Sequence, residues 1–259
     1  NRTPNDGDRF YVSVKTSEDV GLPAQGVEDI LVALLKLTAQ TGFDNPSVSI
    51  SRYELLKMMK WDNNGRHYRK LERMLDQLVQ LTVKTNAFYN PKKESYFRST
   101  FNILDSADYD DAGDSELRIR WASKIFEIFH YGYMKQLDTE FYYSLGNSTT
   151  KRIYRWLDKH LTLHPTIEID VLRFALKVLG YGVSYKYPSQ VIQKLGPYLD
   201  ELYDEGFCRW EVESSLSDSG KKFVFNRITL YTSVLYPRRD YVVEALENRG
   251  LNQGAEKLV

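Results

Sequence analysis

The chain contains a single cysteine, Cys208, among its 259 residues. One cysteine can form neither an internal disulfide nor a thiolate zinc cluster, which excludes secreted disulfide scaffolds and zinc fingers. No apolar run approaches the roughly 18 residues of a membrane span, and the amino terminus is polar. We therefore expect a cytoplasmic protein without membrane contact.

Enzyme signatures are also missing. Neither G-x-x-x-x-G-K-[ST] nor G-x-G-x-x-G occurs, so the chain has no P-loop and no dinucleotide-binding fingerprint. A rolling-circle nickase needs two histidines around one hydrophobic residue, and none of the four histidines is so spaced. His160 and His164 could share a helix face, but no third metal ligand is evident. We expect no enzymatic activity, no metal site and no cofactor.

Charge is balanced overall, with 35 basic and 35 acidic residues, but it is unevenly distributed. Residues 51–104 carry 11 basic and 5 acidic side chains, whereas residues 105–116 carry 6 acidic side chains and none that is basic. The balance gives no support for a generic polyanion binder. The acidic stretch is typical of a solvated loop, because it lacks the ligand spacing of a calcium loop.

Hydrophobic spacing predicts three helices and a β-hairpin in the first half. Residues 26–41 predict a helix, and a short strand at 48–50 leads to Ser51, which with Glu54 forms a capping box for a second helix. The third helix ends near Gln80. Residues 81–85 and 96–104, joined by a turn at 91–93, predict the hairpin.

The same order recurs downstream. It comprises a long helix at 139–161, a strand at 167–169, a helix at 171–179 capped by Asp170, a third helix at 188–205 and a hairpin at 207–213 and 223–231. The matched apolar positions at an offset of 124 are Leu71 with Leu195, Leu75 with Leu199 and Leu78 with Leu202. Five extra residues fall around 181–187. Such a repeat predicts a duplicated domain.

Helix, short strand, two helices and a two-stranded wing is the order of a winged helix-turn-helix, whose third helix enters the DNA major groove. We therefore predict an α+β protein with two tandem winged-helix domains, at 26–135 and 136–236. An N-terminal arm would occupy 1–25, and a C-terminal helix or tail 237–259.

The third helix of the first unit has opposite basic and apolar faces. Its candidate DNA-binding residues are Asn64, Arg66, His67, Arg69, Lys70 and Arg73. Such a face suits phosphate contacts and the pairing of arginine with guanine. A solvated cationic face would show the same pattern.

The third helix of the second unit is less basic and suits hydrogen bonding to bases. Its candidates are Lys186, Ser189, Gln190, Gln193 and Lys194. Pro197 matches Arg73 in the repeat and predicts a kink or restart. Paired lysines at the predicted hairpin tips suit contact with the DNA backbone, although such pairs are also common for solubility; they are Lys92 with Lys93 and Lys221 with Lys222.

Two runs carry a resemblance to a known family. They are Ile-Ser-Arg-Tyr-Glu-Leu-Leu-Lys-Met-Met-Lys-Trp at 50–61 and Arg-His-Tyr-Arg-Lys-Leu-Glu-Arg-Met-Leu-Asp-Gln-Leu at 66–78. Followed by the duplicated unit, they resemble plasmid replication initiator (Rep) proteins, particularly the replication initiator A group, over roughly 26–236. The sparsely charged recognition helix of the second unit departs from that pattern.

The resemblance implies a protein that binds repeated sites (iterons) in double-stranded DNA at a plasmid origin, helps to open the duplex, and recruits a host replication initiator and helicase. It also implies a homodimer through the first unit, with dimers often repressing the initiator's own gene.

Two other functions fit the same elements. A transcriptional repressor could use the same two units, since fold does not determine function. A protein-interaction scaffold could carry the same cations as a solvated surface. Salt-dependent binding to duplex DNA separates the scaffold from a DNA-binding protein, and melting of an adjacent AT-rich segment separates an initiator from a repressor.

Overall fold

The computed structural model divides the chain into two compact units, Asn1–Met134 and Lys135–Val259. The structure describes residues 11–17, 19–23, 26–90, 95–109, 116–130, 135–162, 164–181, 185–216 and 219–228. The predicted tail at 237–259 and the predicted hairpin tip with Lys92 and Lys93 lie outside these residues.

Four helices and six strands make up the described part of unit 1. The helices are α1 (Val27–Gln40), α2 (Arg52–Met58), α3 (Gly65–Gln80) and α4 (Ser123–Phe129). The strands are β1 (Val12–Lys15), β2 (Ser47–Ser51), β3 (Thr82–Asn90), β4 (Ser95–Asn102), β5 (Leu104–Tyr109) and β6 (Glu116–Trp121). The capping box is confirmed, because the Glu54 backbone N–H donates to Ser51 Oγ at 3.1 Å and the Ser51 N–H donates to Glu54 Oε2 at 3.4 Å. β1 lies in the segment predicted as an arm.

The strands of unit 1 form two antiparallel sheets, with orders β1-β3-β4 and β2-β6-β5. The predicted hairpin is confirmed as β3–β4, but the prediction of its place in the fold was wrong. It pairs with β1, whereas the hairpin that joins β2 is β5–β6. The lysine pair at 92–93 therefore belongs to a hairpin outside the sheet of β2.

The prediction of a loop over 105–116 was wrong at both ends, because residues 105–109 belong to β5 and Glu116 begins β6, while residues 110–115 lie outside the described residues. The side chains alternate along β6, where Leu117, Ile119 and Trp121 are buried and the charged residues between them are exposed. In β5, Asp105 and Asp108 are exposed. Charge on one face is compatible with a strand whose other face is buried.

Unit 2 contains one sheet and four helices in its described part. The helices are α5 (Thr139–Ser144), α6 (Ser148–Leu161), α7 (Val171–Arg173), which continues as a π-helical turn (Phe174–Val178), and α8 (Pro188–Asp204). The strands are β7 (Thr166–Asp170), β8 (Cys208–Ser214) and β9 (Lys221–Arg227), in the antiparallel order β7-β9-β8.

Two details of unit 2 correct the helix predictions. The long helix at 139–161 is two helices, since the side chain of Asn147 accepts the Thr149 N–H at 2.8 Å and starts α6 anew. α8 instead runs through Pro197 without a restart. Pro197 removes the bond to the Gln193 carbonyl, but both residues are exposed, so water can replace that bond.

The matched leucines form the two cores. Each is at most 1% exposed; they are Leu71, Leu75 and Leu78 in α3, and Leu195, Leu199 and Leu202 in α8. Their neighbours differ, because unit 1 adds Leu104, Leu117 and Ile119, whereas the sheet of unit 2 contributes Phe223 and Phe225. The apolar periodicity therefore predicted correctly which face of each third helix is buried.

Tyr109 joins the end of β5 to α3. Its hydroxyl lies 3.2 Å from the backbone oxygen of Glu72 and 3.2 Å from Asp76 Oδ1. Burial raises the pKa of Tyr109 above its usual value, and the nearby Asp76 carboxylate raises it further. The neutral phenol is the form that the folded state stabilises.

Because a raised pKa contributes stability that is lost as pH rises, we expect wild-type stability to fall above the usual tyrosine pKa of 10.0. Tyr109→Phe should cost about 1 kcal/mol at neutral pH, from the lost hydroxyl bonds. The difference in unfolding free energy between the variant and the wild type should narrow at alkaline pH. Phenylalanine does not ionise, so only the wild type loses this stability. Urea unfolding across a pH series measures this, with exposed Tyr53→Phe as the control. A pH-independent difference would contradict the role of Tyr109.

Candidate nucleic-acid interface

Local hydrogen bonds hold the start of α3. Asn64 is its N-cap, and Asn64 Oδ1 accepts the His67 N–H at 3.0 Å. His67 Nδ1 lies 3.0 Å from the Asp62 carbonyl oxygen, and the Tyr68 hydroxyl donates to Asn63 Oδ1 at 2.8 Å. Two predicted DNA-binding residues, Asn64 and His67, therefore stabilise the turn before the helix.

The arginines of α3 point outward. Arg66, Arg69 and Arg73 are exposed and form no ion pair or hydrogen bond with the residues that the structure describes. Glu72, between these arginines on α3, forms an ion pair with Arg52 of α2 and so anchors the helix. α3 therefore presents three unpaired guanidinium groups on a fixed helix.

Lys70 behaves differently from these arginines. It is half-buried, and its Nζ lies 4.0 Å from the centroid of the Trp61 ring. A cation over an indole face is attracted by the ring quadrupole. The charge of Lys70 is therefore engaged within unit 1.

α8 exposes the polar residues that the sequence predicted, namely Ser189, Gln190 and Gln193, and Lys186 before it is exposed as well. Lys194 is exposed too, but its Nζ lies 2.6 Å from the Tyr185 hydroxyl and 4.5 Å from the centroid of the Tyr181 ring. The bond to Tyr185 raises the pKa of Lys194. The sequence analysis missed both tyrosines, although Tyr185 stands at the repeat offset of 124 from Trp61.

The two lysines at the start of β9 are not equivalent. Lys221 is exposed. Lys222 Nζ lies 2.6 Å from Glu168 Oε2 and 3.1 Å from Glu213 Oε2, and these bonds raise the pKa of Lys222. Lys222 is thus neutralised by carboxylates on both neighbouring strands.

A contact that sequence reasoning did not find holds the β8–β9 turn. Asp170 Oδ1 accepts the Arg173 N–H at 2.9 Å as the predicted cap, and its Oδ2 lies 2.6 Å from the hydroxyl of Ser219. One carboxylate therefore joins the start of α7 to the hairpin end. No local pattern indicates a contact across 49 residues.

The corresponding hairpin in unit 1, β5–β6, is acidic where described. Arg118 pairs with Glu116 at 2.8 Å, and Arg120 pairs with Asp105 at 3.5 Å. Its basic side chains are thus partly neutralised, and Asp108 adds another negative charge. The two hairpins offer different electrostatic surfaces.

Groups that could support chemistry are few in the described structure. Cys208 begins β8 and is fully buried, and burial raises the pKa of its thiol to about 12. Among the described residues, no group of three or more His, Cys, Asp or Glu could hold a metal ion. None of the helices in this part of the chain combines the length and apolar character needed for a transmembrane span.

The model of the family named replication initiator protein A matches residues 4–195. The chain belongs to the replication initiator protein A family. Membership confirms the resemblance drawn from the sequence, identifies a replication initiator, and implies DNA binding. No curated protein matches this initiator.

Solved structures show the fold of the initiator. A crystal structure of domains 2 and 3 of RctB is 11% identical, with a TM-score of 0.58 over 88% of this chain and 90% of that one. A second crystal structure, of selenomethionine derivatives of the same two domains, is 12% identical, with a TM-score of 0.62 over 87% and 89%. At these identities the likeness is one of fold.

The contrast between the two lysines of β9 yields a prediction about DNA binding. Lys221→Ala should lower the salt dependence of binding to a duplex of shuffled sequence by about 1 in log–log slope. Lys222→Ala should change the slope less, because two carboxylates already neutralise its charge. Affinity measured over a salt series tests this, and equal slope changes in the two variants would contradict it.

Proposed function

We propose that each unit of this initiator is a winged helix-turn-helix, and that together the units bind repeated sites in double-stranded DNA at a plasmid origin. The order of elements supports the fold. In each unit a helix, a strand and two further helices precede a hairpin, and the strand between the helices (β2 or β7) pairs with the last strand of that hairpin (β6 or β9). The wing of unit 1 is then β5–β6, with β3–β4 as an insertion.

The observation that carries the proposal is the unpaired outer face of α3. Arg66, Arg69 and Arg73 are exposed opposite a fully buried leucine face, on the helix that a winged helix places in the major groove. Three arginines without an ion-pair partner in the described part of the chain suit phosphate oxygens and the O6 and N7 atoms of guanine.

The exposed face of α8 supports a different role. Gln190 and Gln193 carry amides that can pair with adenine, and Ser189 can donate to a base or a phosphate. We assign base reading to α8 and a mixture of base reading and phosphate contact to α3. The acidic character of β5–β6 leaves the helix to supply most of the attraction in unit 1.

Initiation then requires opening of the duplex beside the bound repeats and recruitment of a host replication initiator and helicase. The proposal assigns no enzymatic activity to the chain, in keeping with the missing phosphate-binding motifs. It includes a homodimer through unit 1, where β1 lies at a sheet edge with Val12 66% exposed. An edge strand has backbone groups that another chain can pair with.

Footprinting on the DNA flanking the gene, combined with permanganate probing of unpaired thymines, tests this function. We expect periodic protection over repeated sequences and permanganate reactivity in an adjacent AT-rich segment. Protection without reactivity would identify a repressor, and no salt-dependent protection would identify a scaffold.

The assignment of roles predicts different behaviour for two sets of variants. Gln190→Ala and Gln193→Ala should each weaken binding to the protected site by about 1 to 3 kcal/mol, with little effect on a shuffled duplex, because they remove pairing with a base. Arg66→Ala, Arg69→Ala and Arg73→Ala should divide between this behaviour and a uniform loss that lowers the salt slope.

Both duplexes are titrated over the same salt series, with Tyr203→Phe, a change on the exposed surface of the same helix, as the matched control. Equal losses of the glutamine variants on both duplexes, or no loss on either, would show that α8 does not read bases.

A further inference from the structure

Both units place a lysine of the third helix beside an aromatic residue at matched positions. In unit 1 the ammonium lies over the ring, and in unit 2 it is hydrogen-bonded to the Tyr185 hydroxyl and lies nearer the Tyr181 ring. Lys70 Nζ lies 4.0 Å from the ring centroid of Trp61, and Lys194 Nζ lies 5.2 Å from that of Tyr185. Each lysine follows its aromatic partner by nine residues, and the two lysines correspond at the repeat offset of 124. In each case the aromatic residue precedes the third helix and the lysine lies on it. We call each contact a lysine clasp.

In unit 1 the clasp is also connected to an earlier helix. Trp61 Nε1 donates to Asp29 Oδ2 of α1 at 3.1 Å. The lysine, the aromatic residue and the earlier helix therefore form a continuous chain of contacts. The aromatic residue is the link that joins the turn to both helices.

The backbone before α1 leaves room for the clasp of unit 1. Gly26 has φ +103°, and a Cβ atom there would lie 2.9 Å from Lys70 Nζ and 3.2 Å from Trp61 Cζ2. A side chain would be strained by this φ and would displace the lysine or the ring. The close approach of three segments shows that the ammonium occupies a confined position.

We propose that Lys70 and Lys194 are positioning residues, which hold the turn before each third helix against that helix and so set the orientation of its DNA-binding face. They are not phosphate contacts. The inference rests on the proposed function, because it concerns the face that meets DNA. The neighbouring Arg69 and Gln193 are exposed and have no such clasp among the described residues.

The test uses the full chain with Lys70→Met, Lys70→Arg, Trp61→Leu and the double variant Lys70→Met/Trp61→Leu, with Lys221→Ala as the comparison. Each is titrated with a duplex of shuffled sequence over a salt series. Loss of a cation–π contact should weaken binding about two- to thirtyfold. Because no phosphate contact is lost, the salt slope of Lys70→Met and Trp61→Leu should equal that of the wild type, whereas Lys221→Ala should lower it by about 1.

Two further results separate positioning from a general loss of stability. Lys70→Arg should restore affinity, since arginine also binds over an indole ring, and the double variant should bind no more weakly than either single variant. In the unmodified chain labelled with carbon-13 lysine, the ring current of Trp61 should shift the Hε protons of Lys70 upfield. This measurement does not depend on a variant that folds.

The proposal is overturned if Lys70→Met lowers the slope as much as Lys221→Ala does, if it leaves affinity unchanged, or if the Hε protons of Lys70 are unshifted. In unit 2, Lys194→Met is compared with the same Lys221→Ala variant. If the wild type itself shows no salt-dependent binding, the proposed interface fails and the role of the clasp in DNA binding fails with it. An upfield Hε shift would still establish the contact, so the two failures are distinguishable.

Discussion

Burial of one face of each third helix is the constraint on which the remaining arrangement depends. Three leucines of α3 and three of α8 are at most 1% exposed, which sets the rotation of both helices about their axes. Since a helix alternates its faces with a period of 3.6 residues, the polar positions between the leucines must then face outward. The exposed arginines of α3 and the exposed glutamines of α8 follow directly from this packing.

With these faces outward, the contacts that a charged side chain makes within its own unit decide whether it is available to DNA. Lys70 and Lys194 lie over aromatic rings, and Lys222 lies between two carboxylates. The arginines of α3 have no comparable partner in the described residues. A lysine is a compact charge that pairs readily with a ring or a single carboxylate, whereas an exposed guanidinium keeps a planar fork for phosphate or guanine. The basic face therefore offers fewer available cations than a count from the sequence suggests.

The hairpin β3–β4 explains why the two units look more alike in sequence than in strand order. It follows α3 directly, in the position where unit 2 has β8–β9 after α8. It pairs with β1, however, and β5–β6 joins β2. Sequence order after a third helix therefore does not identify the hairpin that pairs with the strand before the second helix.

Local patterns in the sequence determined the third helix of each unit, the capping box at Ser51 and the buried leucine faces, because these depend on residues within a few turns of one another. The motifs of the first unit also carried the family resemblance. Only the tertiary structure decided that β2 pairs with β6, about 70 residues away, and that Trp61 and Tyr185 hold the lysines. Alternation of buried and exposed side chains indicates a strand but not the strand with which it pairs. The partner of a charged side chain is likewise decided only when the chain folds.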